Sequence, residues 1–268
     1  MATIHTRGLP LYYQIHGDGP PVLLLNGLGL GLDAWTPQIE GLSSTLRLIV
    51  PDNRGAGRSE IGDTPCTIAS MAEDAITLLD ALEIGTAHVL GLSMGGMIAQ
   101  ELVLRHPIRV RSLILAATAS RLSVHTRYVI DVWSRMVQHR VDAELFLREQ
   151  FGWVFTDRFL AHREMVDGLI ALFRTLPFSP AGFIAQTTAC LNHDTTDRLP
   201  ACRTPTLVLV GRDDMLIPVA ASEELVRLMT NARLQVLEGE GHGFASECAG
   251  AFNNAVLDFV HHMERARE

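Results

Sequence analysis

Short, mostly apolar runs bounded by turn-forming residues alternate along this chain with longer stretches in which apolar positions recur every three or four residues. The short runs read as strands: Val22 to Leu25, Leu46 to Val50, Ala87 to Leu90, Leu113 to Ala116, Thr206 to Val210 and, last, Leu234 to Leu237. Ahead of them, Ala2 to His16 reads as a hairpin. The longer stretches, Ile68 to Leu82, Gly96 to Arg105 and Ala221 to Met229, read as amphipathic helices. Strands without polar alternation must be covered on both faces. The pattern therefore predicts an α/β fold, with a mostly parallel central sheet and helices on both sides.

The alternation stops between about Arg121 and Arg198, where helical patterns follow one another around Trp133, Phe146, Phe159 and Phe173. Seven of the ten Phe and two of the three Trp fall here, more aromatic surface than a connection requires. Most of these rings are expected to form a small core of the insertion's own, and a few to face the sheet and line a pocket. The expected organisation is one core of residues 1–120 and 199–268, with 121–198 inserted as a helical cap. His261 and His262 read as exposed residues of a polar C-terminal tail.

Composition narrows the partners. The chain is 47% hydrophobic and 19% charged, as in a folded globular protein, and carries a formal charge of -8 with no basic run interleaved with aromatics. Nucleic acid is not an expected partner. No stretch of about 18 apolar residues offers a membrane span, and the N-terminus lacks the pattern of a secretory leader, so a cytoplasmic location is expected. Cys66, Cys190, Cys202 and Cys248 are too scattered to suggest a C-x-x-C pair, and no H-E-x-x-H occurs. Neither a metal nor a cofactor is implied.

The chemistry concentrates at Gly91-Leu92-Ser93-Met94-Gly95-Gly96, a G-x-S-x-G sequence between an apolar run and a helical pattern. A serine lifted on so sharp a turn needs small neighbours. The helix that follows directs free N–H groups towards it, that of Met94 first. Serine is a weak nucleophile without a base, and the base needs a partner to fix its tautomer. Two stretches just past the ends of late strands offer them: Gly211-Arg212-Asp213-Asp214, with two carboxylates to choose from, and Gly241-His242-Gly243. The order Ser, Asp, His is the one associated with a nucleophile elbow.

On these residues the chain resembles the α/β-hydrolase superfamily over nearly its whole length apart from the insertion, nearest the enol-lactonase and esterase branch. The resemblance implies a serine hydrolase acting on a carboxylic ester or lactone, with a small, apolar acyl substrate expected. Gly211, Asp214 and Pro218 match the family's G-x-x-D then proline pattern, which implies Asp214 as the acid. Gly241-His242-Gly243-Phe244 resembles its histidine loop, and among eleven His only His242 has Gly on both sides. Asn26-Gly27-Leu28-Gly29 resembles its H-G-x-G loop, which implies the Leu28 N–H as second oxyanion donor beside Met94. Asn26 departs from the usual His, with an expected effect on loop hydrogen bonding. Asp52-Asn53-Arg54-Gly55-Ala56-Gly57-Arg58-Ser59 resembles the D-x-R-G-x-G-x-S hallmark, read here as architectural, with Arg54 held by a carboxylate or by carbonyls.

Other readings compete. Gly27, Gly29 and Gly31 after a strand, with Asp52 further on, imitate a dinucleotide fingerprint, but Leu32 stands where the third glycine belongs. The same fold and triad also serve C–C bond hydrolysis and cofactor-free perhydrolysis, and a hydrolase fold can serve as a ligand-binding receptor.

Overall fold

The computed structural model describes residues 2–6 and 9–266. Eight strands form one sheet: β1 (Ala2–Thr6), β2 (Leu9–His16), β3 (Pro21–Leu25), β4 (Arg47–Pro51), β5 (Ala87–Leu92), β6 (Val110–Ala116), β7 (Thr206–Gly211) and β8 (Ala232–Leu237). Their order is β1-β2-β4-β3-β5-β6-β7-β8. The first two strands pair antiparallel, β2 runs antiparallel to β4, and all other neighbours are parallel. The hairpin expected at the N-terminus is thus present as paired strands; Arg7 and Gly8, between them, lie outside the described residues.

The apolar runs are explained by the pleat. Successive side chains point to opposite faces, so Leu23 and Leu25 enter one core while Val22 and Leu24 enter the other. Leu113 and Leu115 against Ile114 and Ala116 repeat the division on β6. The first face is covered by α2 (Ile68–Ala81) and α3 (Met94–Arg105), the second by α1 (Thr36–Leu42). A capping box at Thr67 and Ser70 starts α2 where its apolar periodicity begins.

Between β6 and β7 the chain forms α4 (Val124–Gln138), α5 (Ala143–Val154), α6 (Asp157–Leu160), α7 (Arg163–Phe173) and α8 (Pro180–Leu191). Its aromatic residues divide. Phe151 and Phe155, with Phe159 and Phe173 against them, pack in a separate cluster with Val166 and Ile170. Phe146, Phe183 and Trp133 instead join the main core beneath α4 and α8.

After β7 come α9 (Val219–Leu228), β8, α10 (Phe244–Glu247) and α11 (Ala249–Arg265). The last corrects the expectation of a polar tail. Phe252, Val256, Phe259 and Val260 bury one stripe of a helix against the sheet, and His262 lies on its exposed side. Among the described residues no helix is long and apolar enough to cross a membrane.

Candidate active site

Ser93 separates β5 from α3 in a conformation that L-residues rarely adopt, φ 54° and ψ -116°. Its surroundings hold it there. The Ser93 N–H donates to Ala116 O at 2.8 Å, and Ser93 O accepts from Gly96 N at 2.9 Å and Thr118 Oγ1 at 2.8 Å. A Cβ on Gly91 would lie 2.2 Å from Gly95 O, and one on Gly95 would lie 1.9 Å from Leu25 O. Both glycines are therefore required by backbone contact. Helix α3 begins at Met94, two residues ahead of the periodicity at Gly96, so the Met94 N–H is one of the helix's leading donors, which have no intrahelical acceptor.

Three distant stretches meet at this serine. His242 Nε2 lies 3.1 Å from Ser93 Oγ, and His242 Nδ1 lies 2.8 Å from Asp214 Oδ2. Asp214 Oδ1 accepts the N–H groups of Leu216 at 3.0 Å and Ile217 at 2.7 Å, which fixes the plane of the carboxylate. Asp214 and His242 are buried. Of the two adjacent carboxylates Asp214 faces the imidazole; Asp213 is exposed, with its N–H bonded to Glu240 O. Gly211 lets the two loops touch, since a Cβ there would stand 2.2 Å from Glu240 O.

The loop after β3 approaches the serine closely enough that a Cβ on Gly27 would be 3.5 Å from Ser93 Cβ. This brings the loop that carries the Leu28 N–H up beside the Ser93 side chain. Asn26 shapes the loop, with Nδ2 donating to Gly31 O at 2.7 Å while its own carbonyl accepts from Asn53 Nδ2. Asn26 thus closes the loop upon itself.

The same loop dispels the dinucleotide reading. Residues Leu32–Trp35 form a 3-10 turn, and Asp52 is occupied by backbone N–H groups, those of Leu32 at 2.5 Å and Arg58 at 2.7 Å. Burial raises the Asp52 carboxyl above its ordinary range, against the pull of those two N–H groups. Arg54 is architectural as expected, gripping Asp74 through Nε at 2.5 Å and Nη2 at 2.7 Å in a buried pair. His88 and His106 are also engaged away from the site, with Ser112 and Glu264 and with Glu73 respectively. Among the described residues no group of three His, Cys, Asp or Glu is placed to hold a metal.

Two sets of contacts escaped the sequence reading, both made by the helices between β6 and β7. On α8, Gln186 accepts the Gly29 N–H and donates to Arg54 O, each at 2.8 Å. At the end of α5, Val154 O accepts the Gly243 N–H at 2.8 Å. Beyond it, Thr156 donates through N and Oγ1 to the two carboxylate oxygens of Glu247, and Arg158 pairs with Glu240. Burial raises the Glu247 carboxyl, partly opposed by the bonds from Thr156. Gln186 left one legible trace. It shares the α8 stripe of Phe183 and Cys190, a polar residue at core spacing.

The family model described as the alpha/beta hydrolase fold matches residues 20–247, most of the chain. The chain belongs to the α/β-hydrolase family. A provisionally named carbamate hydrolase, RutD, from Azorhizobium caulinodans is 32% identical over 99% of this chain and 100% of its own. A protein of the same name from Caulobacter sp. (strain K31) is 33% identical over 93% and 95%. The crystal structure of the enol-lactonase from Burkholderia xenovorans LB400 superposes with a TM-score of 0.88 at 28% identity, covering 97% of this chain and 100% of that one. Family membership, with relatives of this kind along the whole chain, makes the protein a hydrolase. The bond it cleaves is a separate question.

Proposed function

We propose that this hydrolase cleaves a carboxylic ester or lactone through an acyl-enzyme on Ser93. The observation that carries the reading is the continuous chain Ser93 Oγ, His242 Nε2, His242 Nδ1, Asp214 Oδ2, with steps of 3.1 and 2.8 Å. Ser93 Oγ attacks the substrate carbonyl as its proton passes to His242 Nε2. Asp214 holds the ring with Nδ1 as donor and stabilises the imidazolium. The Leu28 and Met94 N–H groups receive the developing oxyanion. His242 then protonates the leaving oxygen, the C–O bond breaks, and a water deprotonated by the same imidazole releases the acid and restores the serine. In this reading residues 121–198 form the cap of a core built from 1–120 and 199–268, and the substrate is a small acyl compound of apolar character. No cofactor enters the cycle.

A second reading has a specific support. The relatives named for carbamate hydrolysis match nearly the whole chain, and a carbamate carbonyl would pass through the same steps with a carbamoyl-serine in place of the acyl-serine. One panel tests both: p-nitrophenyl esters of graded chain length, simple lactones, and p-nitrophenyl carbamates, each with wild type and Ser93→Ala. Turnover of esters or lactones that Ser93→Ala abolishes supports the first reading. Preference for the carbamates supports the second, and turnover surviving Ser93→Ala refutes both.

A further inference from the structure

Resting on the serine hydrolase reading, we propose that Gln186 is a positioning residue for the oxyanion site, by which a helix between β6 and β7 sets the geometry of the loop that carries the Leu28 N–H. Its side chain is fully buried (0% exposed) and both ends of its amide are used. Oε1 takes the N–H of Gly29, the residue after Leu28, and Nε2 holds Arg54 O in the loop that follows β4. One side chain therefore spans two loops 25 residues apart, from a helix more than 130 residues further along the chain.

The neighbours on α8 make this a fitted contact. Gly182, one turn before Gln186, packs backbone to backbone on Gly55, where a Cβ would lie 1.8 Å from Gly55 O. Phe183 covers Gly29, which sits in the left-handed region at φ +73° and where a Cβ would lie 2.6 Å from the ring. Positions 182, 183 and 186 thus press one face of the helix onto both loops.

The consequence for the oxyanion site follows from backbone geometry. The Leu28 N–H belongs to the peptide before the Leu28 Cα, and the Gly29 N–H to the peptide after it. With the second peptide tied to Gln186, the loop closed by Leu30 N to Gly27 O, and Asn26 Nδ2 on Gly31 O, rotation at Leu28 has little room. An oxyanion donor acts through preorganisation, so a loop left to move loses stabilisation of the transition state more than affinity for the ground state. Gln186 is neutral and does not contact the triad bonds, so its loss should leave the dependence of rate on His242 ionisation unmoved.

The test compares wild type with Gln186→Leu and Gln186→Met on the best ester, lactone or carbamate of the substrate panel. We expect kcat to fall about 10- to 100-fold with KM within about threefold. The acid limb of the kcat/KM profile should keep its midpoint, and affinity for a trifluoromethyl ketone analogue of the substrate should fall in parallel with kcat/KM. A folded variant with kcat/KM within about twofold of wild type overturns the proposal, as does a loss confined to KM or one accompanied by a shifted acid limb. Hydrogen exchange on wild type requires no variant: slow exchange of the Gly29 amide is expected, and exchange at the unprotected rate overturns the proposal. A wild type inactive on the whole panel overturns the serine hydrolase reading, and the proposal with it. An active wild type with unaffected Gln186 variants overturns the proposal alone.

Discussion

The loops at the rim of the sheet and the helices between β6 and β7 hold the site in different ways. Ser93, Asp214 and His242 stand at the ends of β5, β7 and β8, where turn geometry, backbone hydrogen bonds and close glycine contacts, several of them to neighbouring strands and loops, hold them. The helices supply none of these three residues. They instead touch the two loops that a strand cannot fix alone, at Gly29 through Gln186 and at Gly243 through Val154. In the proposed mechanism the rim performs the reaction and the helices align it, and each part should fail in its own way.

The largest effect should come from the rim. In the proposed mechanism exchanging His242 for Ala removes the base, and kcat/KM should drop by about 10⁴ or more while the melting temperature stays within a few degrees. A folded His242→Ala retaining a tenth of the activity would erase the distinction at once. Arg54 tests whether the rim's support is structural. Replacing it with Met leaves Asp74 without its buried guanidinium and should cost about 3 to 5 kcal/mol of stability in urea unfolding.

Where the helices rejoin the core, His193 is buried, 4% exposed, and burial holds its imidazole down at about 4 from an ordinary 6.5. The sign follows from proton uptake. Between these values the unfolded chain binds the proton and the folded one resists it, so stability falls as pH drops from above 6.5 towards 4. At pH 5 the loss should be about 2 kcal/mol relative to pH 8. His193→Leu should remove that component from the unfolding free energy measured across this range, and an unchanged slope would show that His193 does not cause it. The smallest effect belongs to the α5–α6 corner. Thr156→Val deletes the hydroxyl bond to Glu247, worth about 1 kcal/mol, and should lower kcat severalfold, with Thr156→Ser restoring it. Equal losses in both variants would count against a role for that bond.

The same contrast sets what could be read from the sequence. Gly91 and Gly95 announce the elbow because backbone contact excludes any Cβ there, so a local chemical necessity becomes a local motif. Apolar runs such as Val22 to Leu25 announce strands because both sheet faces are covered. Asp214 and Asp213 could not be separated by spacing; only the family resemblance and then the fold, which turns one inward, distinguish them. The C-terminal helix was missed because His261, His262, Glu264 and Arg265 masked the stripe of Phe252, Val256, Phe259 and Val260. Gln186 with Gly29 and Thr156 with Glu247 join residues 157 and 91 positions apart through ordinary polar groups, and although Gln186 stands out as a polar residue at core spacing, nothing local marks the partner in either pair.

The central claim is that Ser93 is a nucleophile activated by His242. Brief treatment with an alkyl fluorophosphonate, followed by intact-mass and peptide analysis, tests it directly. A single adduct on the peptide containing Ser93, formed in step with loss of turnover and absent from His242→Ala over the same interval, is the predicted result. An adduct elsewhere, or equal labelling of Ser93 in both proteins, would contradict it.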